Sequence, residues 1–313
     1  MRLAILEYVF AGGTEDPDLA RRLAPEARQM VMALLEDSIA VPGLEPRVAV
    51  TAELADAVPA AYRVLPASGE STVDFWHRAT AAADAVVPIA PESVGALAKM
   101  TAGLEAVGRC VLGSSVSAVR VAGSKSRTAR VLRQAGVAVV PTWAAGDSLP
   151  EPWGPCLLKP DDGVDCDGIR LLPAAPAVIP AGQVLQPVLP GQSCSLCLLC
   201  MDDGVTVLSC NEQRISGDGA TFRYNGSRVA GRPVQPQHRQ LAAAIHAAIP
   251  GLFGLVGVDF LDADGQLTVL EVNPRPTTSF AGLRAATGIG LGTHLSALFQ
   301  SRVAVPCGQE GAP

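Results

Sequence analysis

From Arg2 to Gly113 short apolar runs alternate with segments whose apolar residues recur at helical spacing. Arg2–Tyr8, Arg47–Val50, Ala85–Ile89 and Cys110–Gly113 read as strands, with Pro25–Ser38, Thr72–Ala83 and Val94–Val107 as helices between them. In the first helix Ala27, Met30, Val31, Leu34 and Leu35 fall on one face. Strands this short and apolar, separated by helices, are buried on both sides. That restricts the segment to an open, mostly parallel sheet with helices packed on it, an α/β arrangement.

A different pattern begins near Ser114. Ser124–Gln134 predicts a helix closed by Gly136, after which Val137–Pro141 resumes an extended path. Pro155–Pro160, Ile169–Leu172 and Val184–Val188 read as strands around a Gly- and Asp-rich loop, Asp161–Gly168. Two hairpins follow. Ser193–Met201 and Val205–Asn211 are joined by Asp202-Asp203-Gly204, and Val256–Leu261 and Gln266–Asn273 by Asp262–Gly265. Pro236–Ala248 and His294–Ser301 read as helices, with a frayed tail over 303–313. No internal repeat is present.

The 313 residues suffice for about two domains. At 49% hydrophobic and 17% charged, the chain can bury a sizeable core. A formal net charge of −6 argues against a broad phosphate-binding face for DNA or RNA, while a local basic pocket stays compatible with it. Leu171–Met201 carries no charged side chain, but Pro173, Pro176, Pro180, Pro187 and Pro190 break it, and Gln183, Gln186 and Gln192 would need partners in lipid. Leu3–Leu6 is too short for the apolar part of a secretory signal, and eight cysteines are too dilute for a disulfide scaffold. The expectation is a cytoplasmic protein with reduced thiols and neither nucleic-acid nor membrane partners.

The strongest chemical signal is Val256-Gly257-Val258-Asp259-Phe260, followed across a turn by Leu270-Glu271-Val272-Asn273-Pro274-Arg275-Pro276. Residues two apart on a strand face the same way, so Glu271 and Asn273 project together, with Asp259 opposite them on the partner strand. Two carboxylates converging from an apolar hairpin repel one another and lose solvation. A hard divalent cation relieves both costs; a solvated surface hairpin is the plain alternative. A second signal is Lys159, which ends an apolar strand before a loop carrying Gly163 and Gly168. A cation beside backbone N–H groups suits phosphate capture, against the plain alternative of a lysine spreading over a surface turn.

Other motifs fail. Gly163 and Ala174 stand at the first and twelfth positions of a calcium-loop reading, and Ser124 where a Walker loop needs glycine before Lys125. Thr293 breaks the dinucleotide pattern of Gly288, Gly290 and Gly292. Cys194, Cys197 and Cys200 have cluster-like spacing, but on a strand Cys197 points away from the other two. His77, His238, His246 and His294 are scattered, and no GxSxG elbow occurs.

Lys125 at a helix start, Lys159 before its loop, the Gln186–Gly191 stretch and the Asp259/Glu271/Asn273 hairpin together resemble the ATP-grasp superfamily, in order along nearly the whole chain. The resemblance implies an N-terminal α/β domain (1–113) and a two-lobed α+β domain that sandwiches ATP, its small lobe over 114–186 and its large lobe over 187–302. It implies that Lys125, Lys159 and the loop glycines Gly163 and Gly168 contact the nucleotide. Gln186 and Val188 would lie on the hinge at the adenine edge, and Asp259, Glu271 and Asn273 would hold magnesium, with manganese as the alternative ion. The family's acidic ribose contact, seven positions after the hinge residue, falls on Ser193 here. Leu6-Glu7-Tyr8, Ala11-Gly12-Gly13, Ile89-Ala90-Pro91-Glu92, Asn211-Glu212-Gln213-Arg214-Ile215 and Tyr224-Asn225-Gly226 are similar to a branch containing the tyramine–L-glutamate ligases of methanofuran and methylofuran synthesis. Other members join different amino acids.

The implied reaction joins a small-molecule carboxylate to an amine through an acylphosphate, with ADP released. Arg214 and Arg275 are the expected contacts to phosphate or substrate carboxylate, because a guanidinium fork suits either anion; a surface ion pair is the alternative for each. Asp161–Gly168 and Ser216–Asn225 are expected lids. Tyr8, Trp76 and Thr277-Thr278-Ser279 are expected to line an acceptor pocket or the core. Rival readings are a dipeptide or D-amino-acid ligase of the same family and a nucleotide-binding module without turnover. A homodimer is left open.

Overall fold

Leu3 and Ile5 point to one side of the first strand, Ala4 and Leu6 to the other, and all four are buried. The strand must therefore sit inside a sheet covered on both faces. The computed structural model describes residues 1–149, 154–163, 168–217 and 222–304. In it, β1 (Arg2–Glu7), β2 (Glu45–Ala49), β3 (Arg63–Val64) and β4 (Ala85–Ile89) form a four-stranded parallel sheet in the order β3-β2-β1-β4. Helices α1 (Pro17–Ile39), α2 (Thr72–Thr80) and α3 (Ala96–Ala106) connect and cover it. Leu3, Ile5, Val48 and Val87 pack on Val31, Leu34 and Leu35 of α1, and Leu6 and Val86 on Phe75, Leu97, Met100 and Leu104.

Several boundaries differ from expectation. Helix α1 starts at Pro17 rather than Pro25, because Asp16 caps it by accepting from the N–H groups of Asp18 and Leu19 while Pro17 supplies a first-turn residue that needs no donor. Ala20, Leu23 and Ala24 pack partly buried against the core and continue the stripe of Ala27 and Val31, so the expected start at Pro25, a residue that lies inside the helix, is too late. Cys110–Gly113 is not a strand: only Val111 bridges to Val86, and the fourth strand is β3. Val94 adopts φ +50° in a 3-10 turn, so α3 begins two residues later, at Ala96.

The second part starts with α4 (Val116–Ala122), which the sequence reading missed, and α5 (Lys125–Gln134). Val137–Pro141 forms no strand and pairs only through Val139 to Val269. Strands β5 (Trp143–Ala144), β6 (Cys156–Pro160), β7 (Arg170–Leu172) and β8 (Gln183–Pro187) make a small antiparallel sheet in the order β5-β8-β6-β7.

The larger antiparallel sheet has five strands in the order β11-β10-β9-β12-β13: β9 (Gln192–Met201), β10 (Gly204–Gly217), β11 (Phe222–Arg232), β12 (Gly254–Ala263) and β13 (Gln266–Asn273). Strand β10 runs six residues past the expected Asn211 and pairs with β11, which was not foreseen. Central strand β9 is covered on both faces. Cys194, Leu196, Leu198 and Cys200 join Ala242 and Ile245 of α6 (Pro236–Ala248), whereas Cys197 and Leu199 join the core of the parallel sheet. This is the expected opposite orientation of Cys197, and the six described cysteines are free. Helices α7 (Thr278–Ala281), α8 (Leu283–Thr287) and α9 (Leu291–Ala304) close the chain, with α7 and α9 packed on α1. One apolar core thus binds the parallel sheet to the large sheet. Among the described residues no helix is long and apolar enough to cross a membrane.

Candidate active site

A cavity of about 360 Å³ opens between the two antiparallel sheets and α1. Its walls carry Lys125, Lys159, Gly163, Gln186, Val188, Ser193, Asp259, Glu271, Asn273 and Arg275, ten of the twelve residues expected to act. Gly168 and Arg214 are the exceptions. Arg214 is exposed and does not line the cavity, although its neighbours Gln213 and Ile215 do, at an irregularity in the β10–β11 pairing. Gly168, at φ +70°, belongs to the loop base: a Cβ there would stand 2.9 Å from Pro160, as would one at Gly163. Asp165 and Asp167 lie outside the described residues, as does part of the expected Ser216–Asn225 lid.

The carboxylates meet as their spacing predicts. Asp259 pairs in register with Glu271, and Gly257 with Asn273. Asn273 Nδ2 donates to Asp259 Oδ2 at 3.1 Å, and Gln213 Nε2 donates to Asp259 Oδ1 at 2.8 Å. Gln213 also accepts from Ser193 Oγ at 2.7 Å, so one amide joins the ribose-position serine to an acid of the trio. Burial, and then the neighbouring charge of Glu271, push the Asp259 carboxyl well above its ordinary range. Burial acts on Glu271 in the same direction, but Lys125, the hydrogen bond with Asp259 and Lys159 together outweigh it and hold that carboxyl below its ordinary value. The acids therefore form an unequal pair whose second charge is costly without a further cation.

Lys125 is fixed from both ends. Ser124 caps α5 by accepting from Arg127 N–H, and Asp161 accepts from Ser124 Oγ at 2.7 Å and Ser126 N at 2.8 Å, which fastens the helix start to the end of β6. Lys125 Nζ then lies 3.1 Å from Glu271 Oε2 and donates to Gly163 O at 2.7 Å. Burial disfavours its charge, but Glu271, Glu92 and Asp161 more than compensate, and its pKa is raised. Lys159 is buried on β6 at the opposite wall. On β8, Gln186 is buried and donates to Thr142 Oγ1 at 3.0 Å, while Val188 sits exposed at the rim.

Arg275 is not a surface ion pair. Its guanidinium donates to both carboxylate oxygens of Glu92, at 2.9 and 3.0 Å, with the two side chains 13% and 6% exposed. Of the expected acceptor residues, Thr277, Thr278 and Ser279 line the cavity. Tyr8 and Trp76 pack against each other instead, their rings tilted by 57° with centroids 6.1 Å apart, and Trp76 Nε1 donates to Ala11 O at 2.8 Å. Glu26, Phe222 and Tyr224 also line the cavity; Phe222 and Tyr224 fall within the segment expected as a lid, and no role for Glu26 was expected. Glu26 lies five residues before Val31 on a helix whose pattern reports core packing alone, and Phe222 starts a strand that looks like loop.

Residues 122–279 match the ATP-grasp domain family, and residues 45–119 match the pre ATP-grasp 3 domain family. An ATP-grasp superfamily protein from Archaeoglobus fulgidus is 24% identical, with a TM-score of 0.73 over 95% of this chain and 88% of that one. The D-alanine–D-alanine ligase from Bacillus anthracis complexed with ATP is 14% identical, with a TM-score of 0.65 over 97% of each chain. The L-amino acid ligase from Bacillus licheniformis is 16% identical, with a TM-score of 0.66 over 96% of this chain and 74% of that one. No curated protein sequence matches the chain.

Proposed function

The chain belongs to the ATP-grasp superfamily, and from that premise we propose that it is an ATP-dependent carboxylate–amine ligase that forms an amide through an acylphosphate. The observation that carries this reading is the convergence of Lys125, Lys159, Asp259, Glu271 and Asn273 on one cavity from four separate elements. Neither lysine is near the acids in sequence, so chance surface charges do not account for the cluster.

Asp259, Glu271 and Asn273 fit a hard divalent cation, since their side-chain oxygens sit together in a half-buried wall and the two carboxylates repel. Magnesium, or manganese in its place, would be held there with phosphate oxygens and would neutralise charge at the transferring phosphoryl group. The protein's own work is positioning. Lys125 and Lys159 hold phosphate oxygens, and the exposed edge at Val188 with the Gln186 strand receives the base. Arg275, kept in place by Glu92, faces the substrate carboxylate. One carboxylate oxygen attacks the terminal phosphorus and ADP leaves. The amine nitrogen then bonds to the carbonyl carbon, and phosphate leaves with that oxygen. No covalent link to the chain is required.

For the substrates we take L-glutamate and tyramine. This pair rests on the short motifs shared with the tyramine–L-glutamate ligases, among which Glu92, Gln213, Ile215 and Tyr224 sit at or beside the cavity. It is supported by the far strands of the acids' own sheet, where Ile215 of β10 and Phe222 and Tyr224 of β11 offer an apolar surface for an aryl ring, and by Glu26 of α1, which offers a negative charge for an ammonium group. Turnover with Mg²⁺, ATP, L-glutamate and tyramine, each omitted in turn, tests the proposal. ADP formation that needs both substrates, with a product of their summed mass less water, supports it. Turnover only with other members of an amino-acid and amine panel would reject this pair and keep the ligase, and AMP formation would reject the acylphosphate route.

A further inference from the structure

A second concavity of about 290 Å³ lies on the outer side of α5, walled by Ser126, Arg130, Arg133, Thr142, Trp143, Asp147 and Ser148. Its character is opposite to that of the first cavity. Two guanidinium groups reach it from successive turns of α5, whose other face buries Thr128, Ala129 and Leu132 in the protein. Neither Arg130 nor Arg133 has an acid or a carbonyl partner among the described residues. The acid present, Asp147, is turned into its own bend, where Oδ2 accepts from Ala144 N at 2.8 Å.

The surrounding sequence deepens the imbalance. Between Ala106 and Gly146 stand Arg109, Arg120, Lys125, Arg127, Arg130 and Arg133 but not one aspartate or glutamate, in a chain whose net charge is −6. Arg120, Arg127, Arg130 and Arg133 are all exposed. A solvated helix face in an acidic protein ordinarily interleaves both signs. Here the helix carries no acid, and the one acid lining the concavity, Asp147, is engaged by its own bend.

We propose that this concavity is a binding site for a small phosphate-bearing molecule, gripped by Arg130 and Arg133. Guanidinium forks match phosphate oxygens in geometry, and two of them neutralise a dianion. The volume is at the small end of ligand pockets, about 300 Å³, which admits a phosphate ester and not a dinucleotide. The site shares a wall with the active-site cavity. Thr142 lines it and accepts from Gln186, which lines the other cavity, and Ser126 lines it while its N–H is held by Asp161 at the base of the Lys159 loop. A ligand here touches the back of the nucleotide wall.

Inorganic phosphate, titrated calorimetrically into the full chain, tests the site. The titration is made with and without a saturating non-hydrolysable Mg-ATP analogue, which removes binding in the first cavity. Wild type and Lys159→Met should each show one saturable phosphate site that survives the analogue. In Arg130→Ala/Arg133→Ala, affinity for phosphate should fall by about tenfold or more, with thermal unfolding and analogue binding unchanged. Absence of saturable binding beside the analogue, or unchanged affinity in the double variant, would overturn the proposal. So would a response to poly-glutamate with none to phosphate, which would mark a docking face for an acidic chain. Should the analogue itself fail to bind, the ligase reading falls, but the arginine dependence measured without it still decides this one.

Discussion

The guanidinium of Arg275 grips both carboxylate oxygens of Glu92 across 183 residues of chain, at 2.9 and 3.0 Å. Glu92 follows the last strand of the parallel sheet and Arg275 follows the acid-bearing β13, so this pair ties the two halves together at the cavity wall. Removing one partner leaves the other charge buried. Arg275→Met should therefore cost about 3–5 kcal/mol in urea unfolding, and Glu92→Leu/Arg275→Met should recover most of it. A double variant as unstable as the single would show that the pair's contribution is packing alone.

Asp259→Asn and Glu271→Gln should each lower turnover by about a thousandfold or more, with thermal stability holding or rising in Asp259→Asn alone. Only Asp259→Asn relieves the repulsion without a loss elsewhere; Glu271→Gln also takes from buried Lys125 its ion partner at 3.1 Å, so that variant should lose stability. Steady-state rates and melting curves measured together check this, and wild-type rates in a folded variant would remove the acids from the mechanism.

Lys159→Met should weaken ATP binding by about tenfold or more, since a phosphate would lose a charge-assisted hydrogen bond in a buried wall. Unchanged affinity by calorimetry would contradict the role given to that lysine.

Gln213 holds Asp259 at 2.8 Å and is itself held by Ser193. Gln213→Ala should shift the magnesium dependence of turnover about 10–100-fold to higher concentration, as outer-shell losses do. A fall in maximal rate without that shift would assign Gln213 to structure rather than to positioning the acid.

Glu7 is 3% exposed, and burial lifts its carboxyl to about 7 against the pull of the Phe10 N–H and the Arg275 charge. The folded chain thus holds this proton more tightly than the unfolded chain, whose glutamate titrates near its ordinary 4.5. Stability falls as pH rises through that interval and levels off above it. Glu7→Gln keeps an acceptor for Phe10 N, so it should match wild type below the interval and exceed it above pH 7, by roughly 3 kcal/mol. Parallel unfolding curves at all pH values would exclude a buried, protonated Glu7.

The sequence shows most where geometry is local. Asp259, Glu271 and Asn273 are legible because strand period and a short turn set which side chains meet. The opposed orientation of Cys197 follows from the same rule. Helix α5 is legible through its Ser124 cap and Gly136 stop. The misses are tertiary. Gln213 lines the cavity from the prolonged β10–β11 hairpin, whose far end has no apolar alternation because it lines a cavity rather than a core. Val139 pairs with Val269 through a single bridge, which local pattern cannot distinguish from a strand. Arg214 stands outside the cavity at an irregularity in the β10–β11 pairing, which local sequence pattern does not reveal.

The most direct test follows oxygen. With both carboxylate oxygens of L-glutamate's reacting group carrying ¹⁸O, turnover with tyramine and Mg-ATP should leave one label in the amide and one in inorganic phosphate, with ADP unlabelled. Label in AMP, or unlabelled phosphate beside a labelled amide, would contradict ligation through an acylphosphate.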